Sequence, residues 1–175
     1  MTYALYLGDR SYSSWSLRAW LLGEAFDLLL EHRWVQFSRD ATVAEQMPEM
    51  APARTVPALK LPEGGIVADS LAIAEELASR FPEAGLWPED PQLRAMARDL
   101  AAEMHSSFRA LRSECPMNLR VAYEDFAVSE AVADDLARIC EIWEHALAVS
   151  GGPWLAGRYS VADAFYAPVA ARIAT

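Results

Sequence analysis

Apolar residues follow two different spacings along this chain. In the first eighty or so residues they come in short runs. Tyr3 to Leu7 alternates aromatic and aliphatic residues and stops at Gly8, which predicts a strand. Leu17, Trp20, Leu21 and Ala25 then recur at helical spacing, behind a loop from Gly8 to Tyr12 that contains Arg10. Ser13, Ser14 and Ser16 surround Trp15 and sit at that helix's N-terminus. Leu28 to Phe37 reads as a second strand, interrupted by His32 and Arg33. Ala41 to Met47 is a short helix, followed by a loop bearing Pro48 and Pro52. Two apolar runs, Val56 to Leu61 and Ile66 to Ala68, flank Glu63-Gly64-Gly65 and predict a tight hairpin. Pro57 stands where the first of its strands begins, where a missing N–H is tolerated. Asp69 and Ser70 open a periodic segment through Ile73, Leu77 and Phe81, the pattern of a helix start. This order of elements fits an α/β domain, a mixed four-stranded sheet with helices on its faces.

The second spacing is helical throughout. Pro82, Gly85, Pro88 and Pro91 mark 81–91 as a linker. Beyond it, Leu93, Met96, Ala97, Leu100, Met104, Phe108 and Leu111 form one stripe. Val132, Leu136, Ile139, Cys140, Trp143 and Leu147 form another. A turn-rich bridge, Gly151 to Gly157, leads to Ser160. Asp163 lies three residues on, so the pair reads as a capping box with aspartate in place of glutamate. The expected domains are 1–80, the linker 81–91 and an all-α domain over 92–175.

Composition narrows the function. The formal charge is −10 and the pI about 4.7, which disfavours nucleic acid and anionic membrane surfaces as partners. An anionic ligand has to be met by local arginines. Cys115 and Cys140 form no CxxC pair, and with His32, His105 and His145 scattered, no metal site is expected. Each cysteine reads as a buried small hydrophobe. Without a signal segment or a membrane-length apolar run, a soluble cytoplasmic protein is the expectation.

The stretch from Arg54 to Ser70 carries the chemistry. It leaves backbone groups free beside Val56 and puts a carboxylate and a hydroxyl at a helix N-terminus. Such a corner can hold both ends of a small zwitterionic peptide, or it is no more than a hairpin packed on a capped helix. Thr55-Val56-Pro57, a hairpin, then Asp69-Ser70 opening a helix resembles the glutathione-binding half of a glutathione S-transferase. The Ser160–Asp163 box resembles one in the second, all-helical domain of that family. The resemblance implies a thioredoxin-like first domain with a cis-proline after the valine. It also implies further helices after the capped one, so with the sequence ending at Thr175 the helical domain is expected to lack the family's last helices.

Ser13-Ser14-Trp15-Ser16-Leu17-Arg18 resembles the zeta-class pattern Ser-Ser-Cys followed by a basic residue, with Trp15 in place of the cysteine. The resemblance implies that Ser13 or Ser14 is catalytic and donates a hydrogen bond to the glutathione sulfur. A hydroxyl donor and the positive end of a helix both favour a thiolate over a thiol, whose reference pKa is about 8.5. Ser13 ranks first, because it aligns with the leading serine of the pattern. Either serine can also be a plain helix cap.

The family's glutathione contacts carry over residue by residue. Val56 offers its backbone N–H and C=O to the cysteinyl part, next to Pro57. Asp69 and Ser70 hold the γ-glutamyl ammonium and carboxylate. Arg54 reaches the glycine carboxylate, and Thr55 stands where relatives often have glutamine. Arg10 and Arg18 are alternatives for that carboxylate or else solvated surface charges, the latter preferred for Arg18. His105, Phe108 and Arg109 lie on the helix that lines the electrophile pocket in the family. The implied protein is a homodimeric transferase whose co-substrate is glutathione. It attacks a small hydrophobic electrophile, and it uses no metal, nucleic acid or membrane. A non-catalytic glutathione-binding protein and a glutathione-dependent isomerase of the maleylacetoacetate type are the alternatives.

Overall fold

The computed structural model describes residues 2–124 and 126–174. They fall into two compact units, Met1–Ala84 and Gly85–Thr175.

The first unit contains a four-stranded sheet in the order β2-β1-β3-β4, formed by β1 (Tyr3–Leu7), β2 (Leu30–Trp34), β3 (Ala58–Lys60) and β4 (Ile66–Val67). β1 and β2 run parallel, Tyr3 opposite Leu30, so the chain must cross over between them. Helix α1 (Ser14–Ala25) makes that crossover. β3 is antiparallel to both β1 and β4. Alternation along β1 divides the core. Ala4 and Tyr6 join Val35, Met47, Met50 and Ala58 in one cluster, with Val56 packed against it. Leu5 and Leu7, fully buried, point the other way. The helices α1 and α3 (Ser70–Arg80) pack on each other and bring the fully buried Leu22, Ile73 and Leu77.

The second strand is shorter than the run that announced it. The short helix α2 spans Val43–Gln46, with Thr42 and Glu45 closing a reciprocal capping box. The hairpin turn is fixed by the Leu61 N–H donating to the Gly65 carbonyl at 2.8 Å, with Gly64 at φ 98°. Arg80, in the last turn of α3, pairs with Glu63 in that turn and with Glu76, which holds hairpin and helix in register.

Beneath the sheet, the Tyr6 hydroxyl donates to Glu49 Oε1 at 2.6 Å. Burial, and then the carboxylate, push the Tyr6 pKa up to about 12. A phenol held protonated by the fold supports stability below its unfolded pKa of about 10 and loses that support as pH rises toward the folded value. The chain should therefore weaken between pH 10 and about 12. Tyr6→Phe should flatten that limb in alkaline denaturation followed by circular dichroism. An unchanged limb would assign it to other groups.

The second unit is a bundle of α4 (Pro91–Ser106), α5 (Arg109–Glu114), α6 (Glu130–Ser150) and α7 (Val161–Ala174). The single stripe from Leu93 to Leu111 is in fact two helices. Phe108, at φ 57°, breaks them apart, and its ring is buried 6.4 Å from that of Tyr166. The restart is held from α6, where Asp135 accepts from the Leu111 N–H at 2.9 Å. A second departure lies on α6 itself. Its buried positions are Val132, Ile139, Ile142 and Ala146, so the inner face is rotated away from Cys140 and Leu147. Cys140 is exposed and Cys115 only half-buried, against the expectation that both are buried hydrophobes. Leu86 and Trp87, expected in a linker, are buried too, and the Leu86 carbonyl accepts from the Val161 N–H.

Candidate functional site

The site is built where two N-termini, those of α1 and α3, meet the hairpin. The Val56–Pro57 peptide is cis, as the resemblance implies. Val56 is half-buried, and its N–H lies outside the β1–β3 ladder, which ends at Ala58. Arg54 and Thr55 are exposed in the loop leading to it.

Asp69 is the N-cap of α3: its Oδ1 accepts from the N–H groups of Leu71 at 2.9 Å and Ala72 at 3.1 Å. The side chain is exposed, and the helix N-terminus beside it favours a negative charge. Ser70, the first residue of α3, is only 2% exposed, and among the described residues its Oγ meets no hydrogen-bond partner. A buried hydroxyl in that state costs free energy unless something completes it. The corner thus offers an anion, an unspent hydroxyl and an unspent backbone N–H. A set of this kind can hold both ends of a small zwitterionic peptide.

The serines at α1 are linked to one another. Ser13 is the N-cap, accepting from the Ser16 N–H at 3.3 Å. Its hydroxyl donates to Ser16 Oγ at 2.9 Å, and that oxygen also accepts from the Gly8 N–H at 2.9 Å. Ser16 is fully buried and Ser13 is 8% exposed. Ser14, half-exposed in the first turn, makes no side-chain hydrogen bond among the described residues. Ser16 is the residue that sequence reasoning undervalued. Its spacing of three from Ser13 was the available signal, since that spacing lets one hydroxyl reach the other.

Arg10 and Arg18 rest on indole rings. The Arg10 guanidinium stacks on Trp20 at 4.4 Å and Trp34 at 5.3 Å. Trp34 ends β2, the strand on the other side of β1 from β3. Arg18 is no solvated charge: it is 1% exposed and lies over the Trp15 ring at 4.5 Å. An arginine one helical turn after a tryptophan can bury its stem and rest its flat head on the indole.

His105, Phe108 and Arg109 differ in their surroundings. Phe108 is buried against Tyr166, Arg109 is exposed, and His105 is half-buried with its carbonyl accepting from Arg112. At the start of α7, Asp163 accepts from the N–H groups of Leu155 at 3.0 Å and Ser160 at 2.9 Å. The Ser160 hydroxyl also donates to it, at 3.0 Å. The box is therefore one-sided: Ser160 gives its proton to the carboxylate and does not accept from the helix. Burial pushes the Asp163 carboxyl up, and these hydrogen bonds pull it back.

Among the described residues no group of His, Cys, Asp and Glu is placed to hold a metal ion, and no helix is long and apolar enough to cross a membrane.

Comparison with known proteins bears on the same half of the chain. Residues 12–80 match the family model of the glutathione S-transferase N-terminal domain. Maleylacetoacetate isomerase of Pseudomonas aeruginosa is 33% identical over 117 residues, 66% of this chain and 54% of that protein. The Rattus norvegicus protein of the same name is 33% identical over 115 residues, 62% of this chain and 50% of its own. The chain spans about half the length of the curated relatives it matches. Among solved structures, glutathione S-transferase unclassified 2 from Bombyx mori superposes with a TM-score of 0.74 at 21% identity, over 96% of this chain and 76% of that one. A glutathione transferase homologue from Sulfitobacter, solved with bound glutathione, gives 0.67 at 21% identity over 97% and 81%. Residues 12–80 are thus a glutathione S-transferase N-terminal domain, and nearly the whole chain shares the fold of these transferases.

Proposed function

We propose that this protein is a glutathione transferase, holding glutathione against Val56, Asp69 and Ser70 and stabilising its thiolate from the N-terminus of α1. The observation that carries the reading is Ser70: a buried hydroxyl without a partner among the described residues, beside a capping aspartate, at the head of a helix. In this reading the Val56 backbone pairs with the cysteinyl unit next to Pro57. Asp69 faces the γ-glutamyl ammonium, and Ser70 completes the γ-glutamyl carboxylate together with the α3 amides. Arg54, exposed at the same loop, with Thr55 beside it, meets the glycine carboxylate. Arg10, its guanidinium stacked on two tryptophans, is the alternative for that carboxylate. Bound glutathione supplies a nucleophilic sulfur. The chain's part is to hold it and to favour the anion by a hydroxyl bond and the helix dipole.

Asp69→Asn separates charge from capping, since asparagine caps as well as aspartate. It should raise the glutathione dissociation constant about tenfold or more, with thermal stability little changed. Calorimetric titration measures both constants. Equal affinity in the two proteins would place the γ-glutamyl group elsewhere.

One observation favours a second reading, a glutathione-binding protein without catalysis: the Ser13 proton is already given to Ser16. The two maleylacetoacetate isomerases favour a third, a glutathione-dependent isomerase, although Trp15 stands where the zeta pattern has cysteine. A small hydrophobic electrophile as second substrate, a homodimer with an interface of standard size and a cytoplasmic location complete the proposal. Conjugation of chlorodinitrobenzene, and turnover of a cis-dienoic keto acid, each measured beside glutathione calorimetry, distinguish the three.

A further inference from the structure

β2 is an outer strand of the sheet, and one of its edges has no neighbouring strand among the described residues. The Val35 N–H donates to the Leu7 carbonyl at 2.8 Å. Backbone groups alternate in direction along a strand, so those of Glu31 and Arg33 also face β1, while those of Leu30, His32 and Trp34 face outward.

Both ends of this outer edge are closed by the chain itself. The Leu30 N–H is spent on the Leu28 carbonyl at 2.9 Å. Gln46 on α2 bonds the Gln36 N–H at 2.9 Å and the Gln36 carbonyl at 2.8 Å, as a neighbouring strand would. Between these closures the N–H groups of His32 and Trp34 and the carbonyls of Leu30, His32 and Trp34 meet no protein partner among the described residues. Open edges are usually guarded by proline, lysine or a bulge. The stretch from Leu29 to Gln36 has neither proline nor lysine, and Leu29 is 91% and Trp34 51% exposed.

The open set is self-complementary. An antiparallel copy of β2, related by a two-fold axis through His32, sets His32 opposite His32 and Leu30 opposite Trp34. Every open donor is then used: each His32 N–H meets the facing His32 carbonyl, and each Trp34 N–H meets the facing Leu30 carbonyl. The one donor a full ladder would still ask for is the Leu30 N–H, which Leu28 already holds. Glu31 and Arg33 become a directly opposed, non-hydrogen-bonded pair, the arrangement in which side chains come closest. They are paired within the strand already, so two copies make a ring of alternating charges. In a chain of net charge −10, a stretch whose own charges cancel is where two copies approach with least repulsion.

We infer that a second copy of this chain pairs on β2, edge to edge and antiparallel, joining two four-stranded sheets into one continuous sheet. The inference rests on the homodimer proposed above, for which it supplies the interface, and is independent of the glutathione reading.

The test is the oligomeric state of the full chain by sedimentation equilibrium, with far-ultraviolet circular dichroism as the check on folding. The unaltered chain should be dimeric at micromolar concentration. Arg33→Glu and Glu31→Arg each set like charges opposite one another and should raise the dimer dissociation constant at least about tenfold. Both changes together should restore it. His32→Pro removes the central donor, which points away from β1, and should give a folded monomer. Should that variant not fold, the charge exchange decides, since Glu31 and Arg33 are exposed. A monomeric unaltered chain overturns both the homodimer and this interface. A dimer that survives the single reversals or a folded His32→Pro, or single reversals that the double exchange does not rescue, overturns this interface alone.

Discussion

Ser13→Ala should raise the pKa of protein-bound glutathione by about one to two units and lower turnover near neutral pH some ten- to a hundredfold, with glutathione affinity little changed. The hydroxyl of Ser13 has one proton, now on Ser16 Oγ at 2.9 Å. A thiolate competes for that proton with advantage, since a bond to a charged acceptor is worth roughly twice a neutral one. Turning the proton toward sulfur does not undo the cap, because Ser13 still accepts from the Ser16 N–H. Ser16 stays fixed by the Gly8 N–H. The network thus holds the donor in place while leaving its proton transferable. Losing the cap should itself cost about 1 kcal/mol, visible as a lowered melting temperature. Ser14→Ala should do neither. Ultraviolet titration of the bound thiolate in both variants decides. A shift confined to Ser14→Ala makes Ser14 the donor and Ser13 a cap. No shift in either favours the reading in which the protein binds glutathione without activating it.

Asp163→Ala should give the largest loss of stability. The carboxylate accepts three hydrogen bonds, two from backbone N–H groups that would be left buried and unmet. Leu155, Ser160 and Asp163 are each under a tenth exposed, so water reaches them poorly. The expected cost is about 3 kcal/mol, or roughly 6–12 °C in melting temperature for a chain of this size. Glutathione affinity should be nearly intact in whatever folds. A variant that keeps its melting temperature but loses thiol activation would make Asp163 a functional residue.

Much of the fold was legible because its signals are local. The alternation in Tyr3–Leu7, the glycines of the hairpin and the Asp69-Ser70 helix start each act within a few residues. What could not be read depends on distant partners. Phe108 continues the apolar spacing of α4, yet the helix breaks there, with Asp135, 24 residues beyond Leu111, holding the restart. Cys140 lies one residue from the inner face that Ile139 and Ile142 define, and a single stripe does not fix helix rotation that finely. Arg18 was read from its charge, whereas the indole of Trp15 decides its burial. The candidate site divides in the same way. Asp69 and Ser70 stand out by position. The destination of the Ser13 proton is set by Ser16 and by the backbone of Gly8, and no motif records it.

The central claim is that the corner of Val56, Asp69 and Ser70 takes the γ-glutamyl end of glutathione. Calorimetric titration of the unaltered chain with glutathione and with the dipeptide N-acetylcysteinylglycine, which keeps the cysteinyl amide but lacks the amino-acid end, tests it most directly. Glutathione should bind at least about tenfold tighter than the dipeptide, because the dipeptide leaves Ser70 Oγ and the α3 amides without their carboxylate and Asp69 without its ammonium. Equal affinity for the two peptides, or no measurable binding of glutathione, would contradict the account.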